Sequence, residues 1–164
     1  MRHPWQMKYI SGILPIDRSQ MQIKIKRIDK SLPLPLYESP GAAGFDFVAR
    51  QDTVIAPQQI ALIPANVIIE TPENYMLQVA SRGSTPRKKG LMMPHGVGIV
   101  DSDFRGPEDE IQIQMYNFTQ TEVLVRRGEK IAQGIFVPVE VATWDEVDEM
   151  RAKTRGAFGS TDIK

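Results

Sequence analysis

The stretch IQIQMYNFTQTEVLVRRGEKIAQGIFVPV, residues 111–139, carries the clearest fold signal in this chain of 164 residues. Ile111–Asn117, Val123–Val125 and Lys130–Val139 are typical of short strands, because each is rich in apolar residues and is bounded by turn formers. Gly128 marks the turn before the last of them. The stretch therefore predicts three strands joined by short connections.

The same alternation of strand and turn extends towards the N-terminus. Further strands are predicted at Gly44–Ala49, Thr53–Ala56, Gln59–Ile63, Asn66–Glu70 and Met76–Ser81. The breaks between strands contain turn formers, namely Pro57, Pro64, Pro72, Asn74, Gly106 and Pro107. No amphipathic helix of about 10–15 residues separates the strands, as parallel βαβ units would require. We therefore expect an all-β sandwich or barrel.

The two ends of the chain differ from this pattern. Residues 1–20 have no clear period, whereas Met21 opens an alternating run that is typical of a half-buried strand. Residues 1–20 are therefore either an N-terminal extension or leader, or an arm packed on the domain. We expect one β domain at 21–152 and a polar tail at 153–164, which stays mobile unless something orders it.

One helix is predicted, at Thr143–Ala152. Thr143 can cap its N-terminus, and Glu146 follows three residues later as in a capping box. Val147 and Met150 then share one face of the helix.

Composition excludes several classes of function. The 20 Lys and Arg residues balance 20 Asp and Glu residues, which argues against a broad basic surface for nucleic acid. The chain has no Cys, and its only histidines are His3 and His95, so thiolate chemistry and a multi-histidine metal site are excluded. Any metal is expected to be a hard, oxygen-bound cation. No apolar run approaches the roughly 20 residues that span a bilayer, and we expect a cytoplasmic protein without a membrane contact.

Four segments combine turn glycines with charged or hydroxyl side chains: Ala43–Asp46, Ser81–Gly90, Gly96–Gly106 and Arg155–Thr161. The second offers a guanidinium, hydroxyls and a glycine, as an anionic oxygen cluster requires, although it also reads as a solvated basic turn. In the third, one of two carboxylates could activate water, although such pairs also occur in plain hairpins. The first reads equally as a turn carboxylate, and the fourth as a disordered end or as a lid that orders on ligand.

Together these segments resemble the trimeric dUTP pyrophosphatases. The five motifs of that family read AGFDFVA at 43–49, SRGST at 81–85, GVGIVDSDFRG at 96–106, RGEKIAQGIF at 127–136 and RGAFGST at 155–161. The resemblance runs from about Met21 to Thr161. It implies a distorted β jelly roll, a homotrimer with shared active sites, and a C-terminal tail that closes over a site on its neighbours.

The resemblance also implies a role for each matching residue. Asp101 matches the catalytic aspartate that directs water at the α-phosphorus of dUTP, with Mg²⁺ held mainly by the three phosphates. Asp46 and Asp103 are expected to support it, and Phe104 to exclude a 2′-hydroxyl. The positions implied to hold the triphosphate are Arg82, Gly83, Ser84, Thr85, Gln133 and Arg155. Those implied to surround the base or to close over the nucleotide are His95, Gly96, Val97, Gly98, Val100, Phe158, Gly159, Ser160 and Thr161.

Three departures from the family pattern stand out. Gly83 follows Arg82 where the family commonly has Ser, the tail motif is shorter than usual between Arg155 and Phe158, and Pro107–Asp109 is inserted after the third motif. Two rival functions stay open. A dCTP deaminase is disfavoured, because the amide of Gln114 replaces the glutamate that deamination needs. A nucleotide-binding or regulatory protein without catalysis is the other, and it is disfavoured by Asp101. A purely structural β domain would require all five motifs to coincide by chance.

Overall fold

A computed structural model describes residues 21–154 and 156, and this part of the chain is almost entirely β-structure. Eleven strands and one short helix are present among these residues. In chain order they are β1 (Ile25–Arg27), β2 (Phe45–Val48), β3 (Thr53–Ile55), β4 (Ile60–Pro64), β5 (Val67–Ile69), β6 (Tyr75–Ser81), α1 (Thr85–Lys89), β7 (Leu91–Met92), β8 (Gly98–Val100), β9 (Gln112–Asn117), β10 (Val123–Val125) and β11 (Lys130–Pro138).

The strands form four small antiparallel sheets, as expected for a jelly roll. Their orders are β2-β11-β6-β8, β4-β9-β7, β1-β5 and β10-β3. Neighbours in these sheets are distant in sequence, so the fold depends on long-range pairing rather than on hairpins alone. All the strands predicted between residues 44 and 139 are present, and no end differs from its prediction by more than one residue.

The core lies between the sheets and is built from alternate residues of the longer strands. On β9, Ile113 and Met115 are fully buried, whereas Gln112, Gln114 and Tyr116 point outwards. β2 is buried on both faces, and Phe45 meets Phe47 edge to face at 5.2 Å between ring centroids. This packing explains why β2 lacks the polar alternation of a half-exposed strand.

Gly134 on β11 marks the tightest point of this core. A Cβ atom added there would lie 2.6 Å from Phe45 Cζ and 2.9 Å from Phe47 Cε2. We expect Gly134→Ala to cost about 1–3 kcal/mol, because the two rings must shift within a filled interior. Thermal unfolding at fixed protein concentration measures this, and Gly41→Ala is the control, since nothing lies within 4 Å of its added Cβ. Equal midpoints for the two variants would contradict this packing.

The predicted helix at Thr143–Ala152 is wrong. The structure has no helix at those residues, and Trp144, Val147 and Met150 are exposed. A capping signal is local, and a single short amphipathic stretch does not stay helical without a surface on which to bury its apolar face. The described part of this chain packs no such surface against it.

Among the described residues α1 is the one helix, and it lies where the sequence predicts a turn. Ser84 occupies its N-cap position, a proline lies in its first turn, and Gly90 ends it in the left-handed conformation with φ of 67°. These are ordinary start and stop signals, but the helix is only five residues long. β7 was also missed, because a two-residue strand has no measurable period. No helix among the described residues is long and apolar enough to cross a membrane.

Candidate active site

The predicted phosphate-binding residues come together where β6 ends beside β11 and β2. Gln133 on β11 is paired with Asp46 on β2 and with Ala80 on β6. Arg82 directly follows β6, and its Nε lies 3.0 Å from Asp46 Oδ1. This ion pair, together with a hydrogen bond of 3.4 Å from Arg82 Nη1 to the carbonyl oxygen of Lys130, holds the guanidinium at the end of β6 with donors left for an anion.

The two hydroxyls after Arg82 have different surroundings. The Thr85 side chain is buried, and its hydroxyl donates to the carbonyl oxygen of Ile131 at 3.0 Å. The Ser84 hydroxyl makes no capping hydrogen bond to α1 and lies in a partly exposed position. In this conformation Ser84 can donate to a phosphate, whereas Thr85 ties α1 to β11.

Asp101 lies at the other end of β6. β8 pairs with β6 so that Val100 faces Leu77 and Gly98 faces Val79, and Asp101 follows immediately. Within the described part of the chain its exposed carboxylate has no hydrogen bond or ion pair. Asp103 and Phe104 are also exposed in the turn that follows. This turn therefore exposes two carboxylates and an aromatic ring on the surface of the chain.

The hairpin before Asp101 borders an open groove of about 440 Å³. Gly96 has φ of 77°, which bends the hairpin and explains a glycine at that position. The groove is lined on one side by four of the residues predicted to surround the base, and on the other by residues of β4, β6 and β9 with Met93. The first group is His95, Val97, Gly98 and Val100, and the second includes Leu62, Val79 and Gln114.

One chain does not bring all its predicted site residues together. From the β6–β8 register, Asp101 lies opposite Met76, whereas Arg82 comes one residue after Ser81. At about 3.3 Å per residue, their Cα atoms are roughly 20 Å apart along β6. The phosphate-binding residues and Asp101 are therefore well separated within one chain.

The predicted tail residues Arg155, Phe158, Gly159, Ser160 and Thr161 lie outside the described residues. A second groove, of about 570 Å³, lies beside β1 and is lined by apolar side chains such as Ile23, Phe45 and Phe136. It contains none of the predicted site residues and is not lined by an acidic or basic side chain.

The described residues contain no group of three or more acidic or histidine side chains that could hold a metal. Single carboxylates are present instead at Asp46 and Asp101. Asp46 Oδ2 is buried and has no hydrogen-bond partner among the described residues. This donor set suits a cation that arrives with phosphate ligands and keeps several waters, as Mg²⁺ does.

Comparison with known proteins places these features in a family. Residues 30–162 match the dUTPase family model. The chain is 36% identical over 143 residues to a deoxyuridine 5′-triphosphate nucleotidohydrolase of Lactococcus lactis, covering 85% of this chain and 95% of that protein. It is 38% identical over 155 residues to a protein of the same name from Thermobifida fusca, covering 93% and 84%.

Solved structures of dUTPases also match the fold of this chain. The crystal structure of a dUTPase from Streptococcus mutans matches with a TM-score of 0.68 and 31% identity, over 73% of this chain and 98% of that one. A dUTPase of Staphylococcus bacteriophage 80alpha with dUpNHpp shares the fold, with a TM-score of 0.75 at 21% identity over 85% of this chain and 98% of that one. With a family model that covers most of its length and relatives above 35% identity, this chain belongs to the dUTPase family of enzymes.

Proposed function

We propose that this protein hydrolyses dUTP to dUMP and diphosphate in a homotrimer with shared active sites. The observation that carries the proposal is the place of Asp101, whose exposed carboxylate directly follows the strand that borders the base groove. The names of the relatives support dUTP as substrate. The expected cytoplasmic location stays a prediction.

In this mechanism Asp101 accepts a proton from the water that attacks the α-phosphorus. Positioned proton transfer of this kind contributes about 10²–10⁴-fold to a rate. Arg82, Ser84 and Gln133 of another subunit hold the phosphates and the leaving diphosphate, whose charge grows in the transition state. Mg²⁺ on the phosphates would neutralise part of that charge, and Asp46 could accept hydrogen bonds from its waters.

Base and sugar selection follow from the hairpin. Main-chain groups of His95–Val100 can read the donors and acceptors of uracil, because a wrong base would leave buried polar groups unpaired. The Phe104 ring would lie against the deoxyribose and leave no room for a 2′-hydroxyl. Gln114 lines the same groove, and its amide cannot shuttle the protons that deamination requires.

An exposed apolar face supports assembly. Ile60 and Leu62 of β4 are on one face with Met92 of β7, and each is more than 40% exposed. Ile99 of β8 is 59% exposed nearby, at the groove that β8 shares with Leu62. Apolar patches of this kind on a soluble domain mark contacts with other protein surfaces. A trimer would cover this face and bring Asp101 of one subunit towards Arg82 of another.

The test is to incubate the purified full chain with dUTP and Mg²⁺ and to follow diphosphate release. UTP and dCTP serve as comparison substrates, because Phe104 and the hairpin should reject them. The proposal expects turnover of dUTP alone. Binding of dUTP without diphosphate release would favour the regulatory alternative, and ammonia release from dCTP would favour the deaminase.

Gly83 allows a separate prediction about phosphate binding. It is exposed, and a Cβ added there meets nothing within 4 Å. Gly83→Ser should therefore fold normally and supply the hydroxyl that relatives commonly carry. A hydrogen bond to a charged group contributes about 1.5–3 kcal/mol, so we expect KM for dUTP to fall about tenfold.

Steady-state kinetics with dUTP measure the effect of Gly83→Ser. Gly41→Ser is the matched control, since an added Cβ at Gly41 also meets nothing within 4 Å and Gly41 is not among the residues predicted to hold the triphosphate. An unchanged or higher KM for Gly83→Ser would show that the added hydroxyl does not reach the phosphates.

A further inference from the structure

Four charged side chains form a continuous row that ends at the predicted phosphate ligand Arg82. Their order is Glu38, Lys130, Asp46 and Arg82. We call this row the charge chain. Lys130 Nζ donates a short hydrogen bond to Glu38 and lies 3.5 Å from Asp46 Oδ2. Asp46 Oδ1 in turn forms an ion pair with Arg82, at 3.0 Å from Nε. Two anions therefore alternate with two cations.

Asp46 is the member of the charge chain that both cations contact. Its side chain is only 9% exposed, and its two oxygens face two different cations. The contact with Arg82 has the length of a full hydrogen bond, whereas Asp46 Oδ2 has no hydrogen-bond partner and only a longer ionic contact with Lys130. Arg82 is thus the preferred partner of Asp46 as long as Lys130 is held elsewhere.

Glu38 is the group that holds Lys130 elsewhere. Its hydrogen bond with Lys130 lowers the pKa of the Glu38 carboxyl and raises the pKa of the Lys130 ammonium group. Without the Glu38 charge, the strongest remaining anion for Lys130 is Asp46, and Lys130 would compete with Arg82 for that one carboxylate. The guanidinium would then lose its ion pair and be oriented only by the longer hydrogen bond from Nη1 to the carbonyl oxygen of Lys130.

We propose that Glu38 is a positioning residue for Arg82 in triphosphate binding. It acts through Lys130, by keeping that ammonium group away from the carboxylate that orients the guanidinium. This inference rests on the proposed function, because it takes Arg82 as a phosphate ligand. Glu38 belongs to the connection before β2 and matches none of the five family motifs.

The expected signature separates positioning from a structural role. The Glu38 side chain is 55% exposed, and exposed ion pairs contribute little to stability. Glu38→Gln should therefore leave the thermal unfolding midpoint unchanged. Its affinity for the non-hydrolysable analogue dUpNHpp with Mg²⁺ should fall about tenfold, because the donors of Arg82 are no longer held in place.

The experiment measures dUpNHpp binding calorimetrically for the full chain and for Glu38→Gln, Arg82→Ala and the double variant. Glu73→Gln is the matched control, since Glu73 is an exposed glutamate with no ion pair among the described residues. Two residues that act on one contact are not additive. Glu38→Gln should therefore weaken binding in the native background and have no further effect beside Arg82→Ala.

The outcomes distinguish the role of Glu38 from the proposed function. Additive losses in the double variant, a Glu38→Gln affinity equal to that of Glu73→Gln, or a lowered unfolding midpoint that accounts for the loss would overturn the positioning role. Failure to hydrolyse dUTP would refute the proposed function alone. The positioning role of Glu38 would still be tested by the affinity for dUpNHpp. Failure of the native chain to bind dUpNHpp would overturn both.

Discussion

Asp101→Asn should reduce the kcat for dUTP by about 10²–10⁴-fold, the usual contribution of a positioned general base. The substitution keeps the shape of the side chain and removes its ability to accept a proton from water. Asp101 is exposed and makes no ion pair within the described residues, so the change should not affect the fold. Diphosphate release gives the rate, and thermal unfolding gives the control.

The neighbouring carboxylate sharpens this test. Asp103 is exposed in the same turn, and we assign it a supporting role. Asp103→Asn should therefore lose clearly less activity than Asp101→Asn, while both variants still bind dUpNHpp. Equal losses would mean that the two carboxylates cannot be told apart, and full activity of Asp101→Asn would refute the assignment of the base.

Mixing two inactive variants should restore activity, which is the second large effect. Arg82→Ala alone should cost about 3–4 kcal/mol of transition-state stabilisation, by analogy with the loss of an oxyanion donor. Asp101→Asn is expected to be nearly inactive because it lacks the proton acceptor. Asp101 and Arg82 lie at opposite ends of β6 in one chain, and in the proposed homotrimer each site takes them from different subunits.

In trimers formed at random from equal amounts of the two variants, about one site in four receives both intact residues, since a closed symmetric ring combines the same two surfaces at every site. Refolding or co-expressing the variants together should therefore recover about a quarter of the native activity. Native mass spectrometry verifies that mixed trimers have formed.

The matched control replaces Arg82→Ala by the double variant Arg82→Ala, Asp101→Asn. No intact Asp101 is then present, and no activity should return. Mixed trimers without recovered activity in the main experiment would show that both residues serve the same site from one chain, contrary to the register of β6 and β8.

The strands were predictable because their signals are local. In β9, outward Gln112 and Gln114 alternate with buried Ile113 and Met115, and Gly128 marks the turn before β11. The helix was mispredicted for the opposite reason. The capping pattern at Thr143 and Glu146 is local, but a helix there needs a packing partner, which no sequence pattern supplies.

The same contrast between local signals and long-range contacts applies to the candidate site. Motif order identifies Arg82 and Asp101 as chemistry-bearing positions without any structure. That Thr85 turns its hydroxyl inward to Ile131, and that Glu38 reaches Lys130, could not be foreseen, because each contact joins residues far apart in sequence.

An all-β domain, the resemblance to a family and the residue types of the proposed chemistry can all be inferred without the structure. Periodicity, turn residues and motif spacing are properties of neighbouring residues, and they survive without a fold. The pairing of Arg82 with Asp46, and the position of Asp101 at the far end of the same strand, become visible only in the folded chain. Strand pairing sets the distances between residues remote in sequence, and here it separates the two parts of the predicted site within one chain.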